Sequence, residues 1–99
     1  MNRNEINMGD YVTVFTIPKG YVVAQVIDIA ENSHYNSGYA VKVQLKFNDN
    51  LQAIQDNMVA TIDLGGIEPV EKILNMAKNK IDNLSANLRL VQETIGLEV

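Results

Sequence analysis

Eight apolar side chains, at Val70, Leu74, Ala77, Ile81, Leu84, Leu88, Val91 and Ile95, stand four and three residues apart in strict alternation. No glycine or proline interrupts the run. A 3.5-residue period is that of a helix laying a narrow apolar seam against another helix. A helix over residues 69–96 would be ~40 Å long at ~1.5 Å per residue. A globule of about 65 residues has a radius of gyration of roughly 11 Å and is roughly 28 Å across. The helix outruns such a body, so it is expected to project and pair with copies of itself as a homo-oligomer. Fold-back is the alternative, and its best break point is Asp82-Asn83-Leu84-Ser85, where cap-type residues cluster. The unbroken period favours projection. Pro69 suits the first helical position, Glu68 and Glu71 suit the positive end, and Gly96 is a stop signal. Met76 and Leu90 widen the stripe, and the flanking positions hold no complementary Glu–Lys sets to fix subunit number or orientation.

The residues ahead of the helix read as β. Tyr39, Val41, Val43, Leu45 and Phe47 alternate with Ala40, Lys42, Gln44 and Lys46, the mark of a strand with one buried and one wet face. Met58, Ala60, Ile62 and Leu64 alternate with Val59, Thr61 and Asp63 in the same way. Residues 11–17 and 21–29 are rich in β-branched side chains but alternate less cleanly, as expected where a bent sheet uses both faces. Pro18-Lys19-Gly20 predicts a hairpin turn, residues 32–38 a polar loop, and residues 48–57 one helical turn or a ragged edge strand.

Cysteine is absent, which excludes a disulfide framework and thiolate metal sites and makes an intracellular setting the expectation. No apolar run approaches the ~18 residues that span a bilayer, and the polar start Met1-Asn2-Arg3-Asn4-Glu5 is no secretion signal. Twelve asparagines and ten isoleucines suggest A/T-rich coding, as in low-GC bacteria or their phages, so a cytoplasmic location in a bacterial or phage-infected cell is expected. The formal net charge is −4. Without a basic stripe to release counterions, nucleic-acid binding is disfavoured. It would need Lys19, Lys42 and Lys46 to converge.

Chemistry is scarce. The single His34 lies in a Ser/Asn/Gly loop with no second base beside it, and one histidine without cysteine falls short of the three or four ligands of a zinc site. Asn48-Asp49-Asn50 lacks the downstream Gly and Glu of a calcium loop. Gly65-Gly66 is followed by no Lys-Ser/Thr and reads as a turn into the helix. No catalytic, cofactor or metal site is assembled, and the chain reads as non-enzymatic. His34 and Tyr35 in the polar loop, with Tyr39 at its edge, are the candidate partner-binding residues, since exposed aromatic groups grip peptides and cations.

Gly9-Asp10-Tyr11-Val12-Thr13-Val14, Gly20-Tyr21-Val22-Val23-Ala24-Gln25-Val26 and the exit from Leu64 to Val70 resemble an SH3-like barrel over about two-thirds of the chain. An OB-like barrel fits much of the same pattern. The expected architecture is α+β, mainly β: a small antiparallel SH3-like or OB-like barrel over residues 1–67, then one long amphipathic oligomerisation helix over 69–96. The expected function is a non-enzymatic oligomeric binding or assembly protein whose barrel loops contact a protein or small-ligand partner, as a phage structural component or an inhibitor of a host system. The alternative is a nucleic-acid-binding barrel.

Overall fold

Valine-rich alternation organises most of residues 11–63 into four antiparallel strands, and a short fifth strand leads into the helical region. The computed structural model describes residues 1–17, 19–78 and 85–96. In chain order these form β1 (Tyr11–Thr16), β2 (Gly20–Glu31), β3 (Tyr39–Phe47), β4 (Val59–Asp63), β5 (Glu68–Pro69), α1 (Val70–Lys78) and α2 (Ser85–Ile95). One-turn 3₁₀ helices occupy Arg3–Glu5 and Leu64–Gly66. The sheet is antiparallel, in the order β4-β3-β2-β1-β5. Register shifts at Val23/Ala24 and Val26/Asp28 bend β2 against β3. The expected barrel is corrected to an open sheet, with β4 and β5 as its two edges. β5 is only two residues long, ends on a proline with no N–H to donate, and runs straight into α1, so it cannot close the ring.

Each face of the sheet has a core. Val12, Val14, Val22, Ala24, Val26, Val41, Val43 and Leu45 bury one face together with Ile6, Leu64 and Ile67. The terminal amine of Met1 donates to the Ile67 carbonyl at 3.0 Å and ties the first residues across this core. On the opposite face Val23, Phe47 and Leu51 pack with Val70, Ile73, Leu74 and Ala77 of α1 and Val91 of α2. The run Val22-Val23-Ala24 is fully buried, because β2 is covered on both sides. That explains its poor alternation, since a strand buried on both faces reads as a continuous apolar run.

The single long helix is also corrected. The helical region is two helices, the first ending at Lys78 and the second beginning at Ser85. α1 covers Val23, and α2 brings Val91 against the same core, with Leu88 and Ile95 at its margin. Val70, Leu74, Ala77 and Val91 of the expected intermolecular seam are therefore buried within the chain itself. Ile81 and Leu84 of that seam, and Pro18 of the hairpin turn, lie outside the described residues.

Two polar devices hold this layer. Thr13, fully buried on β1, donates its hydroxyl to the Pro69 carbonyl at 2.9 Å and accepts from the Ile73 N–H at 3.4 Å. A strand side chain thereby ties β1 to the first turn of α1 through a carbonyl and an N–H. In the loop after β3, Asn48 Oδ1 accepts from the N–H groups of Asn50 and Gln52, both at 2.9 Å. The loop presents Leu51 at φ +60°, with its side chain only 2% exposed. This segment was expected to hold a helical turn or ragged strand, and it is a loop joined to β3 by one bridge, Phe47 to Ala53.

Candidate functional site

The loop over 32–38 is tightly tied. Asn32 donates to the Gly38 carbonyl at 2.8 Å, Gly38 donates to Tyr35 at 2.9 Å, and the His34 N–H donates to Asn32 Oδ1 at 2.9 Å. His34 is exposed and Tyr35 half-buried. Tyr39 packs against the inner core, so the three expected partner-binding residues do not share one aromatic face. Tyr11 and Tyr21 belong to the margin of the second core.

Asp63, at the end of β4, pins this loop to the sheet. Its carboxylate accepts from the N–H groups of Asn36 at 3.1 Å, Ser37 at 3.3 Å and Gly65 at 3.1 Å. The Ser37 side chain and these backbone donors hold the carboxyl below its ordinary value of 3.8. A depressed carboxyl pKa supports the bound loop above pH 3.8 and loses that support as pH falls through the lowered value. The amide resonances of Asn36, Ser37 and Gly65 are expected to titrate together below pH 3.8. In Asp63→Asn that transition disappears, which amide NMR across the acid range measures.

An uncovered apolar group lies elsewhere. In the β1–β2 hairpin, closed by the pair Thr16 and Gly20, Ile17 is 95% exposed and Phe15 58% exposed. Phe15 meets Tyr21 edge-on, with ring centroids 5.1 Å apart and planes at 69°. Lys72 Nζ lies 4.9 Å from the centre of the Tyr21 ring and pairs with Glu68, one helical turn away. Glu68 and Tyr21 hold its ammonium above the ordinary lysine value of 10.5. Lys19, also in the hairpin, pairs with Asp56 at 3.4 Å. Both lysines flanking the tip are therefore matched by carboxylates.

Beside Lys19 an open groove of ≈ 570 Å³ runs along Asn48, Ile54 and Asp56. Another of ≈ 350 Å³ lies between Tyr11, Val70, Glu71 and Ile95. Among the described residues no group of three or more His, Cys, Asp or Glu side chains stands close enough to hold a metal ion. No helix among them is long and apolar enough to cross a membrane. Lys42 faces Asp28 across the β2–β3 register, and Lys19 is held by Asp56, so the three lysines that nucleic-acid binding requires are two of them opposed by acid. The hairpin tip escaped the reading of the sequence because Phe15 and Ile17 sit in a β-branched run. The usable signal was an apolar residue directly before a turn, on the face opposite Val12 and Val14. Protein-family models, curated proteins and solved structures were compared with the chain, and none matches.

Proposed function

We propose that the chain is a non-enzymatic assembly module of SH3-like build, which contacts other protein molecules through the tip of the β1–β2 hairpin. The fold reading is supported by the strand order: β1 to β4 are neighbours in sequence order, and β5 returns through a 3₁₀ turn to pair with β1. An SH3-like meander asks for this order, whereas an OB-like barrel is a Greek key. The observation that carries the functional reading is Ile17, 95% exposed beside a ring pair. Apolar side chains clustered in the open mark contact surfaces. The charge-matched rim gives no attraction to a polyanion and little repulsion toward a second acidic chain. Such a tip is far smaller than the ~800 Å² per partner of a standard interface, so each contact is weak and gains strength from being repeated.

Light scattering over a wide range of concentration tests this. The wild-type mass is expected to rise above the 11.0 kDa of one chain. In Ile17→Asp, line broadening at Phe15 and Ile17 disappears and self-association falls at least tenfold. The fold persists, because an exposed substitution costs within about 0.5 kcal/mol. Residues 15–17 showing no concentration dependence would refute the hairpin contact.

A further inference from the structure

β4 is a sheet edge of unusual character. It pairs with β3 alone among the described residues. Its sequence, Val59-Ala60-Thr61-Ile62-Asp63, holds no lysine, proline or glycine, and no register shift interrupts its pairing. Proteins defend exposed edges with those devices. The other edge, β5, is two residues long and ends in Pro69. β4 therefore stands as the undefended edge, and it goes beyond the hairpin as a place of contact.

The hydrogen-bond pattern fixes which groups it offers. The Leu45 N–H donates to the Met58 carbonyl at 2.9 Å, and the register runs Gln44 to Val59, Val43 to Ala60 and Lys42 to Thr61. In an antiparallel ladder hydrogen-bonded pairs alternate along the strand. Ala60 and Ile62 thus direct their backbone groups toward β3, and Val59 and Thr61 direct theirs outward. Val59 is 44% exposed and Met58, just before the strand, is 38% exposed. Val59 and Thr61 share the sheet face opposite the half-buried Ala60 and Ile62, which pack on the inner core.

We infer that β4 pairs antiparallel with β4 of a second copy about a two-fold axis at Thr61. That register is self-complementary. Thr61 exchanges both hydrogen bonds with its counterpart, and the outward groups of Val59 meet those of the counterpart of Asp63. The charge pattern favours a second copy in this register: Asp63, the only charged residue of β4, lies opposite a valine and two residues from the axis, so like charges are not juxtaposed. Its carboxylate is in addition occupied by three N–H groups of its own chain. A two-fold contact of this kind is the commonest closed assembly of like chains. It would join two sheets into one of ten strands.

Thr61→Pro tests the pairing. The Thr61 N–H points away from β3, so proline removes no hydrogen bond of the isolated chain, as edge strands allow. In the pair it deletes both central bonds, and the ring obstructs the approaching strand. Amide exchange in the wild-type protein is expected to slow at least tenfold at Val59 and Thr61 as concentration rises, with Ala60 unchanged. Val59→Asp, which keeps the Thr61 N–H and sets a carboxylate opposite the counterpart of Asp63, should lose this slowing, and Thr61→Pro should lose the two-fold mass while keeping the single-chain circular dichroism. Equal exchange at Val59 and Thr61 across concentration, or a two-fold species that persists in both variants, overturns the inference. Ile17→Asp leaves this readout unchanged, so failure at the edge is distinguishable from failure at the hairpin.

Discussion

Leu51→Ala is expected to lower stability by about 2–5 kcal/mol, the range for emptying a well-packed leucine site. Two effects combine at this position. The side chain is 2% exposed within the core that joins the helices to the sheet, so its removal leaves a cavity among Val23, Phe47 and Val91. The backbone is held at φ +60°, a conformation that costs an L-residue roughly 1–2 kcal/mol. Burial of the leucine offsets that strain, and alanine keeps the strain without the burial. The same loop anchors α2, since Asn87 Nδ2 donates to the Asn50 carbonyl at 3.3 Å. With about 4–8 °C per kcal/mol for a domain of this size, the melting temperature should fall by at least about 8 °C. Thermal or urea unfolding reads this directly, and a loss under about 1 kcal/mol would mean that the loop is not a wall of the core.

Val91→Asp is the more severe change. Val91 is fully buried, and an unpaired carboxylate there costs at least about 3 kcal/mol. Against the 5–15 kcal/mol of a typical domain, the outcome is a chain that loses a large share of its stability and unfolds as a whole under much milder conditions. Leu90→Asp, one residue away but 57% exposed, should change stability by no more than about 0.5 kcal/mol. Amide exchange across α2, measured on both variants, separates packing from helix propensity. Equal effects from the two substitutions would contradict the fold-back arrangement. A projecting helix would instead show its sensitivity to Val91→Asp in subunit number while the sheet stayed intact.

The strand content was legible where one face is wet. Residues 39–47 alternate cleanly and coincide with β3, but Phe47, expected on the face of Val41 and Val43, packs in the second core because the register shifts at Val23/Ala24. β2 was harder, because at Val22-Val23-Ala24 both faces are covered and alternation vanishes. The helical seam misled for a physical reason: a 3.5-residue period reports a narrow apolar stripe and says nothing of what covers it. A sheet of the same chain fills that role here, through Val70, Leu74, Ala77 and Val91. Of the cap-type cluster Asp82-Asn83-Leu84-Ser85, residues 82–84 lie outside the described residues. Openness of the sheet depends on β5 being too short, which turns on where Pro69 falls relative to β1. Edges and tips are set by long-range pairing, so neither the exposed β4 nor Phe15 and Ile17 could be singled out before the strands were ordered. Tyr39 shows the converse. It borders a polar loop in the sequence, and the pleat directs it inward.

β2 contributes Val22 and Ala24 to one core and Val23 to the other, and it is the longest strand of the sheet. Heat or denaturant cannot strip the helices from such a strand without weakening the contacts beneath it. The two halves of the molecule are thus coupled through a shared spine, and they should melt in a single concerted transition with no half-dismantled intermediate.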